Sequence, residues 1–174
     1  MLRLGYLLAG LALFMMGNGA MFAAAQGEAE PIQRVSHFSG KPVPRFETLR
    51  YSAVNGRVGP SLQHPVRWRF ERAGLPVLVL KESRDWRWVR DPDGAEVWIH
   101  ARMLSSNASG IAQTETVVRA HANVEARGVV RLGEGVLVDI LDDQDGWLRV
   151  EVDGYRGWVP TDDIWGGAAP ASAL

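Results

Sequence analysis

One pattern occurs twice in this chain, and any fold must accommodate it in duplicate. The first copy runs Val77-Leu78-Val79-Leu80, Asp85-Trp86-Arg87-Trp88-Val89, Asp93-Gly94, Val97-Trp98-Ile99 and Met103-Leu104. The second runs Val136-Leu137-Val138, Gly146-Trp147-Leu148-Arg149-Val150, Asp153-Gly154, Gly157-Trp158-Val159 and Asp163-Ile164. The offset is 59 from Val77 to Val136, 61 from Trp86 to Trp147, and 60 for Gly94–Gly154, Trp98–Trp158 and Leu104–Ile164. Matches this regular define a tandem repeat, whose units must each be one small structural module.

The elements inside each copy are β-strands. Apolar runs rich in Val, Ile and Trp are separated by Gly, Pro or Asp, and nothing between Arg45 and Trp165 sustains a helical period. Asp153-Gly154 predicts a tight hairpin, because its turn needs positive φ; Asp91-Pro92-Asp93-Gly94 does the same in the first copy. The expected fold class is all-β, two tandem small β-barrels of about five strands each, with a short helical turn at Ala101-Arg102-Met103 and at Thr161-Asp162-Asp163.

Residues 1–25 read as a cleaved signal peptide. Arg3 is the only charge, Leu4–Met16 is apolar, Gly17-Asn18-Gly19 breaks the run, and Ala23-Ala24-Ala25 offers a cleavage site before Gln26. The expected location is periplasmic or secreted, without stable membrane insertion after cleavage. Residues 26–45 read as an extended arm, 46–105 as the first module, 106–112 as a linker, 113–166 as the second module and 167–174 as a tail.

The order Val54-Asn55-Gly56-Arg57-Val58-Gly59-Pro60-Ser61, Gly74-Leu75-Pro76-Val77, Trp86, Asp93-Gly94, Trp98-Ile99-His100 and Leu104 resembles the bacterial SH3-like domain. It is most similar to the SH3-like family of exported alphaproteobacterial proteins, usually a tandem pair. The resemblance spans roughly Phe46 to Trp165 and implies SH3-like barrels with a binding role near the cell wall and no catalysis. The first copy departs at Val97, where the family usually has Gly before the tryptophan. The second departs at Ala122-Asn123-Val124-Glu125-Ala126-Arg127, which keeps an Asn and an Arg but lacks the Gly-Pro-Ser turn.

Strand alternation sorts core from candidate surface. Leu148, Val150 and Val152 share the inner face, Trp147, Arg149 and Glu151 the outer. Mapped onto the first copy, Val89 points in, and Trp86, Trp88 and Arg90 point out as a candidate binding surface, unless the other module or a loop covers them. Trp147, Tyr155 and Trp165 are the counterparts in the second copy, while Trp98 and Trp158 read as structural. Arg57 either bonds carbonyls of its turn or contacts ligand. Arg67-Trp68-Arg69-Phe70 alternates base and aromatic, which makes Trp68 a further candidate; the same alternation suits nucleic acid, a partner that the export signal argues against.

Charge is uneven. Residues 46–105 carry 10 basic and 7 acidic side chains, net +3; residues 113–166 carry 5 and 11, net −6. Either the modules dock through opposite fields, or the positive one, with Arg67, Arg69, Arg72, Arg84, Arg87 and Arg90, meets an anionic polymer such as peptidoglycan. No cysteine is present, which removes disulfides, thiolate zinc sites and a cysteine nucleophile. His37, His64, His100 and His121 have no metal-ligand spacing. Asp142-Asp143-Gln144-Asp145 lacks the Gly and Glu of an EF-hand and reads as a solvated hairpin loop, and Gly133-Glu134-Gly135 lacks a third glycine. No cofactor or metal is expected. The reading is a non-enzymatic module for peptidoglycan or a cell-wall peptide, with a periplasmic adaptor or regulator of an envelope enzyme as the alternative.

Overall fold

The computed structural model describes residues 34–167; the expected signal peptide and most of the C-terminal tail lie outside the described residues. A small hairpin, β1 (Arg34–Val35) with β2 (Pro42–Val43), precedes the first sheet. That sheet holds β3 (Arg45–Leu49), β4 (Val54–Arg57), β5 (Val66–Phe70), β6 (Pro76–Ser83), β7 (Trp86–Arg90), β8 (Glu96–His100) and β9 (Leu104–Ser105). The second holds β10 (Ser109–Ala112), β11 (Thr116–Arg119), β12 (Gly128–Leu132), β13 (Leu137–Gln144), β14 (Trp147–Val152), β15 (Tyr155–Pro160) and β16 (Ile164–Trp165).

The two sheets have one topology, β5-β4-β8-β7-β6-β3-β9 and β12-β11-β15-β14-β13-β10-β16. The tandem repeat is therefore structural, strand for strand. Asp153 and Gly154 both take positive φ, the conformation their hairpin requires. Ala101–Met103 and Thr161–Asp163 are 3-10 turns immediately before the last strand of each sheet. No helix among the described residues is long and apolar enough to cross a membrane.

Alternation produces one core per sheet. Val54, Val77, Val79, Val89, Val97 and Ile99 face inward in module one; Val118, Val138, Leu148, Val150 and Val159 do so in module two. Val97, which departs from the family pattern, is accommodated by Gly56 on the facing strand. A Cβ at Gly56 would lie 2.5 Å from the Val97 side chain, whereas in module two the glycine is Gly157 and the valine Val118, with 2.7 Å between the corresponding atoms. The modules fill one volume with the two residue types exchanged between strands.

Three expectations need correction. The barrels are not closed: each sheet ends on two edge strands that do not pair with each other, and β9 and β16 are only two residues long. The stretch read as a linker, 106–112, contains β10, which pairs with β13 and β16; its small residues Ser109-Gly110 let Ile164 pack directly over the backbone. The arm, 26–45, is no simple extended segment. Its end folds into the β1–β2 hairpin and supplies Arg45 to β3, because Ser36 and Ser39 donate to the Glu82 carboxylate at 2.6 and 2.9 Å.

Candidate functional site

The alternation of β7 and β8 puts Trp88 and Trp98 opposite each other on the outer face of module one, ring centroids 5.4 Å apart. Lys81 pairs with Trp88 across β6, its ammonium 5.3 and 5.6 Å from the two ring centroids, a stabilising cation–π geometry. Arg57 pairs with Trp98 across β4. Lys81, Trp88, Trp98 and Arg57 thus form one row across four strands, and the equivalent row in module two is Asp142, Arg149, Trp158 and Arg119. Glu96 neutralises Arg90 through two hydrogen bonds of 3.0 and 2.8 Å and also accepts from the Trp88 indole at 3.1 Å.

Of the candidates read from sequence, this row brings together Trp88, Arg57 and the neighbouring Arg90. It includes Trp98, a residue that reads as structural in the sequence although its alternation with the inward Val97 and Ile99 marks it as outward. Trp86 is not part of an exposed platform. It is 9% exposed and packs edge-on against His100, 5.2 Å between centroids, because it faces the strand end where the chain turns over it into the 3-10 segment. Arg87, grouped with the free arginines, is buried and lies 3.1 Å from Glu82. Arg57 donates to the His64 carbonyl at 2.7 Å, and Arg119 donates to the Ala126 carbonyl at 2.9 Å. Arg119, not Arg127, is therefore the partner of Arg57 in module two.

The outer aromatics of module two do not converge. Trp147 pairs with Pro160 and Tyr155 with Val152, opposite ends of one hairpin, about 17 Å apart at strand spacing. Trp165 belongs to the seam between modules, where its ring meets Phe46 edge-on at 4.8 Å. Polar contacts close the same seam. Ser109 donates to the Gly74 carbonyl at 2.7 Å, Thr48 donates to the Asn107 carbonyl at 2.6 Å, and Arg72 donates to the Gly135 carbonyl at 3.1 Å. Gly74 has positive φ, and a Cβ there would sit 2.9 Å from Leu137 of the other module.

Beside the seam runs a groove of about 580 Å³, within the range of small-molecule sites. Module one contributes Trp68, Phe70, Asp91 and Asp93; module two contributes Glu134 and Trp165. Trp68 is 49% exposed there, while Phe70, two residues on and on the same face, is buried in the core. Asp91, also in the groove wall, is buried. Burial pushes its pKa up and outweighs the hydrogen bond from the Ala95 amide; the charge of Asp93 pushes it further, while the amides of Asp93 and Gly94 pull it back in part. Nothing in the sequence pattern marked this groove, because it is made only when two modules meet.

The bacterial SH3 domain model matches residues 50–106 and 112–166, so the chain belongs to that family. Among curated proteins it is similar to the putative N-acetylmuramoyl-L-alanine amidase YrvJ of Bacillus subtilis (strain 168), 25% identical over 135 residues. That match covers 66% of this chain, and the chain spans about a quarter of the relative, 26% of its length. Among solved structures it is similar to NlpC2 from Trichomonas vaginalis, with 18% identity, a TM-score of 0.33, and coverage of 70% of this chain and 48% of that one. It is also similar to an NlpC/P60 family protein from Bacillus cereus ATCC 10987, with 12% identity, a TM-score of 0.31, and coverage of 69% and 55% respectively.

Proposed function

We propose that the chain is an extracytoplasmic, non-catalytic recognition module that binds cell-wall peptidoglycan in the groove at the seam of its two SH3-like modules. The observation that carries this reading is the groove itself: both modules build it, and it leaves Trp68 half-exposed beside polar groups suited to fixing a ligand's orientation. Family membership supports a binding role. The similarity to part of a protein named as an N-acetylmuramoyl-L-alanine amidase supports the wall as the place of binding. The reading as non-catalytic is supported by the lack of cysteine and by the local engagement of two of the four histidines, His64 with Ser61 and His100 with the Arg102 amide.

Co-sedimentation of the protein with purified sacculi tests the proposal. The parent should pellet, and Trp68→Ala should weaken binding about tenfold, as loss of an aromatic anchor does, while its melting temperature stays close to the parent's. Failure of the parent to pellet, or equal pelleting of both, rejects the groove as a wall site. A periplasmic protein partner is the second reading, favoured by the half-exposed Lys81–Trp88–Trp98–Arg57 row, which module two does not reproduce. It predicts that Trp88→Ala abolishes capture of an envelope protein and leaves sacculus binding intact.

A further inference from the structure

The charges lining the groove do not follow the charge of the module that supplies most of them. Residues 46–105 are net positive, yet the groove walls carry Glu71, Asp91, Asp93 and Glu134 against only Arg69 and Arg72. Arg69 is taken up by Glu71 at 3.7 Å, and Arg72 reaches across the seam to the Gly135 carbonyl. Among the described residues no lysine, arginine or histidine stands within ion-pair distance of Asp91, Asp93 or Glu134. Asp91 is 3% exposed and accepts backbone amides of its own turn, from Ala95, Asp93 and Gly94, so its carboxylate is held in the groove wall with no counter-cation, next to the exposed Asp93.

We infer that this groove takes a protonated amine on an aliphatic stem, the free side-chain amine of the diamino acid in an uncrosslinked stem peptide. This rests on the peptidoglycan reading above and specifies which part of the wall is read. The apolar wall of Trp68, Leu75 and Trp165 suits the methylenes of such a side chain, and the exposed Asp93, with the buried charge of Asp91 beside it, suits its ammonium. Asp91 is positioned in advance by the amide of Ala95, 2.7 Å from Oδ1, across a turn that Pro92 stiffens. An incoming ammonium supplies the counter-charge that burial withholds, in keeping with the upward push on the Asp91 pKa. In a crosslinked stem the same nitrogen is acylated. A neutral amide offers no charge to the acidic wall, so the protein discriminates free stems from crosslinked ones.

The test compares untreated sacculi with sacculi whose free amines have been acetylated with acetic anhydride, using the whole chain and Asp91→Asn/Asp93→Asn. The Asp91→Asn change keeps a side-chain oxygen to accept from the Ala95 amide, and Asp93→Asn alone, at an exposed position, serves if the double variant does not fold. The parent should bind acetylated sacculi at least tenfold more weakly than untreated ones. The double variant should bind both as weakly as the parent binds the acetylated form, and Asp93→Asn alone should fall between. If the parent binds both preparations equally, the amine inference is wrong and the wall reading stands. A parent that pellets with neither overturns the wall reading and this inference with it. Acetylation that weakens parent and double variant by the same factor reflects the overall charge of the sacculus, and also overturns the inference.

Discussion

The two modules share every strand and the order of every strand, yet they are held together differently. Module two relies on its apolar core and surface ion pairs such as Arg156–Glu151. Module one adds a buried ionic buttress. The Glu82 carboxylate, 0% exposed, receives Arg45 at 2.6 Å, approaches Arg87 at 3.1 Å, and accepts from Ser36 and Ser39 of the β1–β2 hairpin. A duplicated fold therefore leaves room for one copy to acquire extra structure at an outer edge while the other keeps the minimal form. The side chains of the outer rows diverged in the same way, from Lys81–Trp88–Trp98–Arg57 to Asp142–Arg149–Trp158–Arg119.

The largest expected effect follows from that asymmetry. Glu82→Ala leaves Arg87 buried without a counter-charge, leaves Arg45 held by Glu47 alone and releases the hairpin, at a cost of about 3–5 kcal/mol. Module one should then unfold at markedly lower urea than module two, splitting the transition; a single unsplit transition would show that the seam couples the modules more strongly than the buttress holds one of them. The pH dependence has a definite sign. Burial raises the Glu82 pKa, but hydrogen bonds from Ser36, Arg45 and Ser39 and the charge of Arg87 outweigh it, so the net shift is downward. A carboxylate with a depressed folded pKa contributes stability above its ordinary value and loses it as pH falls through the folded one. Asp91 is shifted the other way, so its contribution favours folding in acid and fades as pH rises from the ordinary carboxylate value through the raised one. Module one should soften in acid chiefly through Glu82, and Glu82→Gln should flatten that dependence.

The exchanged glycine and valine give the next effect. Gly56→Val drives a branched side chain into Val97 and should cost about 1–3 kcal/mol. Val97→Gly empties the same space and adds backbone freedom, for about 2–3 kcal/mol. Combined, the two changes recreate the arrangement that Val118 and Gly157 already use, so the double variant should recover at least about 1.5 kcal/mol relative to the sum of the single ones. Additive losses in urea denaturation would mean that the backbones of the two modules differ too much for the exchange to be equivalent.

The sequence made the repeat legible because tryptophans and turn glycines recur at near-constant offsets, and alternation separated Leu148 and Val150 from Trp147 and Arg149. It misled where a side chain's fate depends on what lies above it in space. Trp86 has the outward parity of Trp88, yet a strand end and its turn cover it. Arg119 lies 62 residues after Arg57, within two of the repeat's offset of 60, but the Asn123 and Arg127 pair downstream imitates the order of Asn55 and Arg57 in the first copy and draws the match away from it. The hairpin and β10 rest on strands of two and four residues, too short for any period to register. The groove depends on the seam, and the pattern of a single module contains no trace of it.

The smallest effect tests what the modules still share. Arg57 and Arg119 each donate to a carbonyl seven residues ahead, His64 and Ala126, and each sits opposite the one tryptophan common to both rows, Trp98 or Trp158. If closing the first long loop is the common role, Arg57→Ala and Arg119→Ala should each cost about 1 kcal/mol, the yield of one charge-assisted hydrogen bond partly open to water. Amide exchange should then rise in the loops 58–65 and 120–127 and nowhere else. The loss at Arg119 should be slightly the larger, because its bond is partly buried while that of Arg57 is exposed. Lysine at either position should recover little, since the planar guanidinium fixes the donor geometry that a flexible ammonium does not. Should Arg57→Ala leave stability and loop exchange untouched while Arg119→Ala does not, the module-one arginine has been released from the loop to serve the row with Lys81, Trp88 and Trp98.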